Sequence, residues 1–412
     1  MQLVNTPMKQ SSLDYANAKF SSAEGSRTGK PCLKILKLSI LTCTLLASSL
    51  MAEDYVSVQY MNYDEDDGRT TISTPSIEVN KDFGADYTLN LSFAYDSVSG
   101  ASPTYFDAAS GASASSKGVT SPRNVTYKDL EYKDERKALG ATLTKRFASR
   151  DELTLGTNFS NEYDYKSYEV SAEYLHYLDA SKNQSLSFGT SYQKNDVSIY
   201  CFLGNDECDS MSGASEKVMD LDVISSELGF TQIIDKTSLV KASLFYINED
   251  GYLSNPYMRV VRNHAINPEI TQENKPNSRT AYGTLIQYSK ALNDKISSTS
   301  SYRLYMDDWD ITSHTINSEL YYEVNEKFTA GVGLRYYTQS EAEFYNDTKE
   351  YFSDEVYASS DRRMSDFDSL NYTQSADYKV NNKISVNTSV NFYDQPDYFD
   401  ALYYNVGIKY KF

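Results

Sequence analysis

Few residues of this 412-residue chain are suited to chemistry: His176, His264 and His314, the cysteines of CFLGNDEC (Cys201 and Cys208), and carboxylate runs such as YNDTKEYFSDE at 345–355. Asp310 stands four residues before His314, so the two could share a strand mouth and polarise a water by general-base chemistry. An ordinary rim histidine meets the same spacing. With no histidine or third cysteine nearby, the cysteine pair reads as a loop disulfide of an exported chain, and metal ligation is the weaker alternative. The carboxylate runs offer hard oxygen ligands without the regular spacing of a calcium loop, so they read first as a solvated acidic surface. No Gly-x-Ser-x-Gly elbow, phosphate-binding loop or His-Glu-x-x-His pair occurs. The expectation is a non-enzyme with no cofactor and no resident metal.

Charges of a second kind lie inside alternating segments. Asp96, Glu173, Glu227, Arg303, Glu319, Arg335 and Lys409 each sit on the polar side of a stretch that alternates apolar and polar residues. Residues 384–393 show the pattern: Ile384, Val386, Thr388, Val390 and Phe392 on one side, Ser385, Asn387, Ser389, Asn391 and Tyr393 on the other. A period of two is the mark of a β-strand with unlike faces. Lining a wet lumen, these seven residues would set the field felt by a permeating solute. The competing reading pairs them across the wall as structural fillers.

The elements that must position these residues are hairpins. Short polar corners at 80–86, 148–152, 179–184, 234–236, 292–295, 324–327 and 380–383 are rich in Asn, Asp and Gly, whose tolerance of positive φ suits tight turns. The opposite ends carry long connections at 97–134, 199–218, 250–276 and 341–362, with shorter links near 64–68, 164–166, 308–310 and 394–400. Counting from Tyr55 gives about sixteen strands, centred near residues 59, 74, 91, 141, 157, 172, 191, 227, 243, 284, 301, 318, 333, 372, 388 and 406. An even count puts both termini beside the short corners, the asymmetry of barrels with short periplasmic turns and long extracellular loops. The expected fold class is all-β, a transmembrane antiparallel up-and-down β-barrel wide enough for an aqueous channel. Tyr95, Phe147, Phe159, Tyr288, Phe328, Tyr336, Phe392 and Phe412 fall near strand ends on the apolar face, where aromatic girdles meet headgroups. In TTISTPSIEVN, Pro75 suits an edge or a bulge better than a central ladder position.

Ahead of the strands, LSILTCTLLASSLMA (38–52) follows Lys34 and Lys37 and reads as a secretory signal peptide cleaved after Ala52 or Ser49. The polar stretch before it suggests a translation start near Leu33. This divides the chain into residues 1–52, removed, and a barrel at 53–412. Without the leader, 33 basic residues face 55 acidic ones, a net charge of about −22. That balance excludes nucleic acid as a partner, because phosphate binding needs basic patches, and it favours cations over anions in any channel. No run reaches the roughly 18 apolar residues of a membrane-spanning helix, so a membrane crossing must be made by strands.

The last residues, LYYNVGIKYKF, place Tyr404, Ile408, Tyr410 and Phe412 on one face. They resemble the assembly signal of Gram-negative outer-membrane proteins, which implies recognition by the outer-membrane insertion machinery. The stretches YDEDDGRTTISTPSIEVN (63–80) and LSFAYDSVSGASPTY (91–105) resemble the opening of a domain-of-unknown-function family of bacterial outer-membrane barrels. That family pairs an acidic, Arg-containing hairpin with a Tyr-Asp-Ser-x-Ser-Gly-Ala-Thr-Pro motif; Ser102 stands in the usual Thr place. The resemblance implies the cell outer membrane, with lipid and lipopolysaccharide as neighbours and both termini periplasmic, and no activity. The expectation is a porin-like passive channel for small hydrophilic solutes, with loop 97–134 either a constriction or a surface loop. The alternative is a non-channel binding or structural protein using acidic, Tyr-rich loops.

Overall fold

The computed structural model describes residues 54–66, 69–102, 106–107, 112–113, 130–201, 215–255, 258–262, 269–346, 355–396 and 399–412. In chain order the strands are β1 (Tyr55–Glu65), β2 (Thr70–Phe83), β3 (Tyr87–Ser102), β4 (Phe106–Asp107), β5 (Ala112–Ser113), β6 (Leu130–Arg146), β7 (Glu152–Asn161), β8 (Tyr165–Tyr177), β9 (Gln184–Cys201) and β10 (Ser215–Asp235). They continue with β11 (Ser238–Gly251), β12 (Arg259–Arg262), β13 (Glu269–Gln272), β14 (Ser278–Ala291), β15 (Ile296–Asp307), β16 (Thr312–Asn325), β17 (Phe328–Gln339), β18 (Phe367–Lys379), β19 (Ile384–Gln395) and β20 (Phe399–Lys411).

Sixteen of these form one closed antiparallel barrel, while β4–β5 and β12–β13 are separate two-stranded ribbons in its connections. The barrel closes between the first and last strands, where Val56 pairs with Tyr410 and Tyr60 with Val406. Closure gives every barrel strand two partners, so no row of N–H and C=O groups is left at an open edge. In hydrocarbon each such group would cost several kcal/mol. Strands about 4.8 Å apart and tilted about 40° place sixteen of them on a backbone cylinder of roughly 30 Å diameter.

All sixteen expected centres fall within barrel strands, and two local expectations change. Pro75 sits in a central strand: β2 pairs with β1 through Tyr60–Pro75, and its register with β3 continues from Ser73–Ser97 to Ser76–Ala94 across a gap at Thr74 and Pro75. The missing proline N–H removes a rung without shifting the ladder. The long connections are also shorter than expected, because paired strand continues to Ser102, resumes at Leu130, and runs on to Cys201 and from Ser215. Ser- and Gly-rich sequence has weak strand propensity, yet a partner already in register extends the hairpin.

The corners explain their own composition. Asn293, Asn325 and Asn381 each turn a side-chain oxygen onto two backbone N–H groups: Lys295 and Ile296, Lys327 and Phe328, Lys383 and Ile384, all at 2.8–3.1 Å. None of the three asparagines has a positive φ. Asparagine therefore recurs as an acceptor that closes the turn, rather than as a residue tolerant of left-handed backbone.

The outer face is apolar. Leu139, Val170 and Leu244 are 55, 58 and 61% exposed, and the outward row of β20 runs Leu402, Tyr404, Val406, Ile408, Tyr410, Phe412. About ten residues at about 3.3 Å each, inclined by about 40°, give a height of about 25 Å, that of the apolar band of transmembrane barrels. Tyr60, Tyr192, Tyr246, Tyr282, Tyr336 and Phe392 are exposed at one margin, and Phe83, Tyr87, Phe147, Tyr288, Tyr322 and Phe412 at the other. The buried apolar clusters lie at the end opposite the short corners, one from Tyr63, Ile72, Phe399 and Ala401, another from Trp309, Ile311, Ala342 and Met364. That end is called the upper rim below.

Candidate functional site

The candidate site is the inner wall and its upper rim. Strand parity and register put Asp96, Glu173, Glu227, Arg303, Glu319, Arg335 and Lys409 on the inner side, opposite the exposed apolar residues of the same strands. The seven do not form one cluster. Asp96 is buried in an ion pair with Arg136. Glu227 lies 3.9 Å from Lys241, which is itself buried. Glu319 accepts from Asn317 at 3.3 Å and from the Tyr321 hydroxyl at 2.7 Å. Arg303 lies over the rings of Phe245 and Tyr305, at 4.5 and 5.5 Å, and Lys409 lies 4.1 Å over Tyr55.

The wall has two unlike arcs. Across β2, β8 and β10 it carries Glu78, Glu169, Glu173 and Glu227; Glu78 takes Tyr55 and Asn90, and Glu169 takes Asn158 and Gln193. From β11 round to β1 it is largely aromatic, with guanidinium groups between and the carboxylates Asp307 and Glu319 among them: Phe245 with Tyr305 (6.4 Å), Tyr337 with Phe367 (5.5 Å), Tyr393 with Phe399 (5.2 Å), Tyr403 with Tyr63 (5.9 Å). Two inner-wall rings, Phe245 and Tyr321, lie where only glycine leaves room. A methyl at Gly283 would run into the Phe245 ring and the Leu304 carbonyl, and one at Gly331 into Tyr321. The missing Cβ leaves space for each ring against the glycine of the neighbouring strand.

Several wall residues were not singled out from the sequence: Glu78, Arg136, Glu169, Lys241, Arg279 and Tyr403. Counting parity within each strand would have found them, as Glu169 and Glu173 share a face of β8 four residues apart. At the upper rim the carboxylates of Asp134, Glu162 and Asp164 lie within 4.8 Å of one another, a grouping that no local spacing announces.

At the same rim, parts of the connections 252–277 and 340–366 are knitted together. Asn274 and Ala358 exchange backbone hydrogen bonds at 2.8 and 3.0 Å. Beneath them Lys275 reaches Glu273 at 3.1 Å and Asp361 at 3.3 Å, all three buried. Asp361 also takes a 2.8 Å bond from Arg363. Burial works to raise its carboxyl, but the Arg363 and Lys275 charges and the Arg363 hydrogen bonds outweigh that and hold it well below the ordinary aspartate range. Trp309 meets Phe344 edge-on at 5.0 Å, receives Arg279 over its ring at 4.6 Å, and donates its indole N–H to Ser278. Arg279 is fixed by Asp307 at 2.6 Å.

The histidine hypothesis takes a different form here. Asp310 occupies the link 308–311 with φ of 65°, whereas His314 lies on the outward row of β16 with its Nδ1 2.7 Å from the Tyr302 hydroxyl. His176 is spent on Asp151, at 3.1 Å. The leader 1–52, His264, Cys208, the side chain of Cys201 and most of the connection 103–129 lie outside the described residues.

Several solved structures are similar to this chain at low identity. The siderophore receptor PirA from Acinetobacter baumannii is 9% identical with a TM-score of 0.42 over 84% of this chain and 53% of that one, so the chain spans about half the receptor's length. The CymD monoaromatic hydrocarbon channel is 10% identical, TM-score 0.41, over 88% and 89%. A bacterial polysaccharide outer membrane secretin is 8% identical, TM-score 0.46, over 88% and 99%. No curated protein matches the sequence. One family model matches residues 36–402, that of DUF3570, described as a protein of unknown function, and the chain belongs to that family.

Proposed function

We propose that the protein is a porin-like passive channel for small hydrophilic solutes in the outer membrane of a Gram-negative cell, with both termini and the short corners in the periplasm. One observation carries the reading: a closed sixteen-strand wall whose outer face is apolar and whose inner face is polar and charged. A polar inner face on a cylinder of roughly 30 Å is too wide to be filled by side chains from opposite walls, and it is the lining that water and small solutes require. The net negative charge concentrates cations near the mouth. Tyr404, Ile408, Tyr410 and Phe412, on the lipid side of the closing strand, act as the assembly signal read by the insertion machinery. No catalytic residue is assigned.

The knitted rim supports a second reading, in which the acidic upper face is a platform for a surface partner and the lumen carries no flux. Planar-bilayer recording of the purified, refolded protein separates the two. Discrete ohmic steps are expected, and absence of current at every voltage would overturn the channel.

A further inference from the structure

Arg335 differs from four other arginines of the inner wall. Arg69 has Glu65 at 3.7 Å, Arg146 has Glu152 at 3.8 Å, Arg279 has Asp307 at 2.6 Å, and Arg136 is paired with Asp96. Among the described residues Arg335 has no carboxylate within 4 Å and no hydrogen-bond acceptor; its enclosed Nε–H is unpaired. The reason lies in its neighbours. In the ladder it stands between Asn317 on β16 and Asn371 on β18. Asn317 is turned toward Glu319, and Glu319 is also held by Tyr321. The Asn371 oxygen takes the Tyr403 hydroxyl at 2.9 Å, its amide donates to Thr373 at 3.1 Å, and Thr373 donates to Asn391 at 2.6 Å. The surrounding amides and hydroxyls are committed to one another. The guanidinium lies over the Tyr337 ring, at 5.4 Å, and its charge also reaches Tyr393 and Tyr403.

We infer that Arg335 is the recognition point for small organic carboxylates with a flat apolar body. A guanidinium has five donors in a rigid fork that matches a carboxylate, and here the wall supplies none of the acceptors. Two further features fit an aromatic acid. Rings descend to Arg335 from the upper rim, Phe367 to Tyr337 on β18 and β17, and Phe399 to Tyr393 on β20 and β19. The facing arc carries Glu169, Glu173 and Glu227 on β8 and β10, so an anion in the lumen is driven from that arc toward the guanidinium. The local field thus runs against the cation preference expected from net charge. The inference rests on the channel reading only for the route by which the solute arrives.

The test is calorimetric titration of the refolded, detergent-solubilised barrel with benzoate and with its neutral isostere benzamide, beside bilayer recording of the same preparation. Benzoate should bind at least about tenfold more tightly than benzamide, the worth of one charge-assisted contact. Arg335→Gln should abolish that preference, and Arg335→Lys, which keeps the charge and loses the fork, should fall between. Heat-modifiability of each variant reports that the barrel has formed; should Arg335→Gln not fold, Arg335→Lys carries the comparison. Equal affinities for the two probes, or a preference unchanged in the variants, would overturn the inference. Selective benzoate binding without current would leave this site standing and sink the channel, and current without selective binding would do the reverse.

Discussion

Replacing Lys275 by Met should release the upper rim while leaving the barrel closed. Lys275 is one of the most enclosed charges described, 3.1 Å from Glu273 and 3.3 Å from Asp361. Removing one member of a buried ion pair typically costs 3–5 kcal/mol, because the remaining charge stays desolvated without its counter-charge. Here Asp361 keeps Arg363 at 2.8 Å, so the penalty falls on Glu273. That carboxylate keeps the Asn255 N–H at 2.6 Å and the Ser359 hydroxyl, which places the effect at the lower end, about 3 kcal/mol. At 1.36 kcal/mol per decade this is a change of roughly a hundredfold in local opening.

Native-state hydrogen exchange reads it where it matters, at the Asn274 and Ala358 amides, which bond to each other's carbonyls across the two connections. Their protection should fall about a hundredfold, while barrel amides such as those of β19 stay protected. The double variant Lys275→Met with Glu273→Met should recover much of the loss, since removing both partners leaves no orphaned charge. Protection at Asn274 and Ala358 within about threefold of the parent, with the barrel intact, would refute the claim that this pair holds the rim.

Acid should act on the same contact through Asp361. Its carboxyl is lowered in the folded state from an ordinary value of 3.8, so the stability it contributes is complete above that pH and drains away below it, by at most about 1.4 kcal/mol per pH unit. Exchange at Ala358 should therefore show no opening linked to this carboxyl from pH 7 to 5 and should show it below pH 4; onset near neutrality would point to another group. Phe412→Ala should lower the amount of protein in the outer membrane several-fold while the protein refolded in detergent keeps its heat-modifiability. Unchanged insertion in cells would remove Phe412 from the assembly signal.

The strands were legible because their signal is local. Alternation such as Ile384, Val386, Val390, Phe392 against Ser385, Asn387, Ser389, Asn391 needs only neighbours in sequence, and short corners mark where it stops. Parity also gave the inner face of all seven charged candidates. It did not give their partners. Asp96 and Arg136 are 40 residues apart, and Lys275 and Asp361 are 86 apart, so no window along the chain contains both members of either pair. The asparagine corners were located correctly for the wrong reason, because composition reports that Asn favours turns without saying whether its backbone or its side chain is used.

The division between local and long-range information also decides which residues carry function in such a wall. Lipid imposes one requirement on the outer face, that it be apolar, so its residues are read from alternation and are interchangeable in kind. The inner face is filled by contacts across several strands, and there the informative residue is one whose neighbours bond among themselves and leave it out. Arg335 on β17 is in that position: Asn317 and Asn371, its ladder partners, belong to hydrogen-bonded chains that pass it by. The Ser57 and Ser243 hydroxyls, enclosed wall atoms that also have no partner, are neutral; a guanidinium left without an acceptor marks where an external oxyanion gains the most, because binding there displaces water without breaking a protein contact.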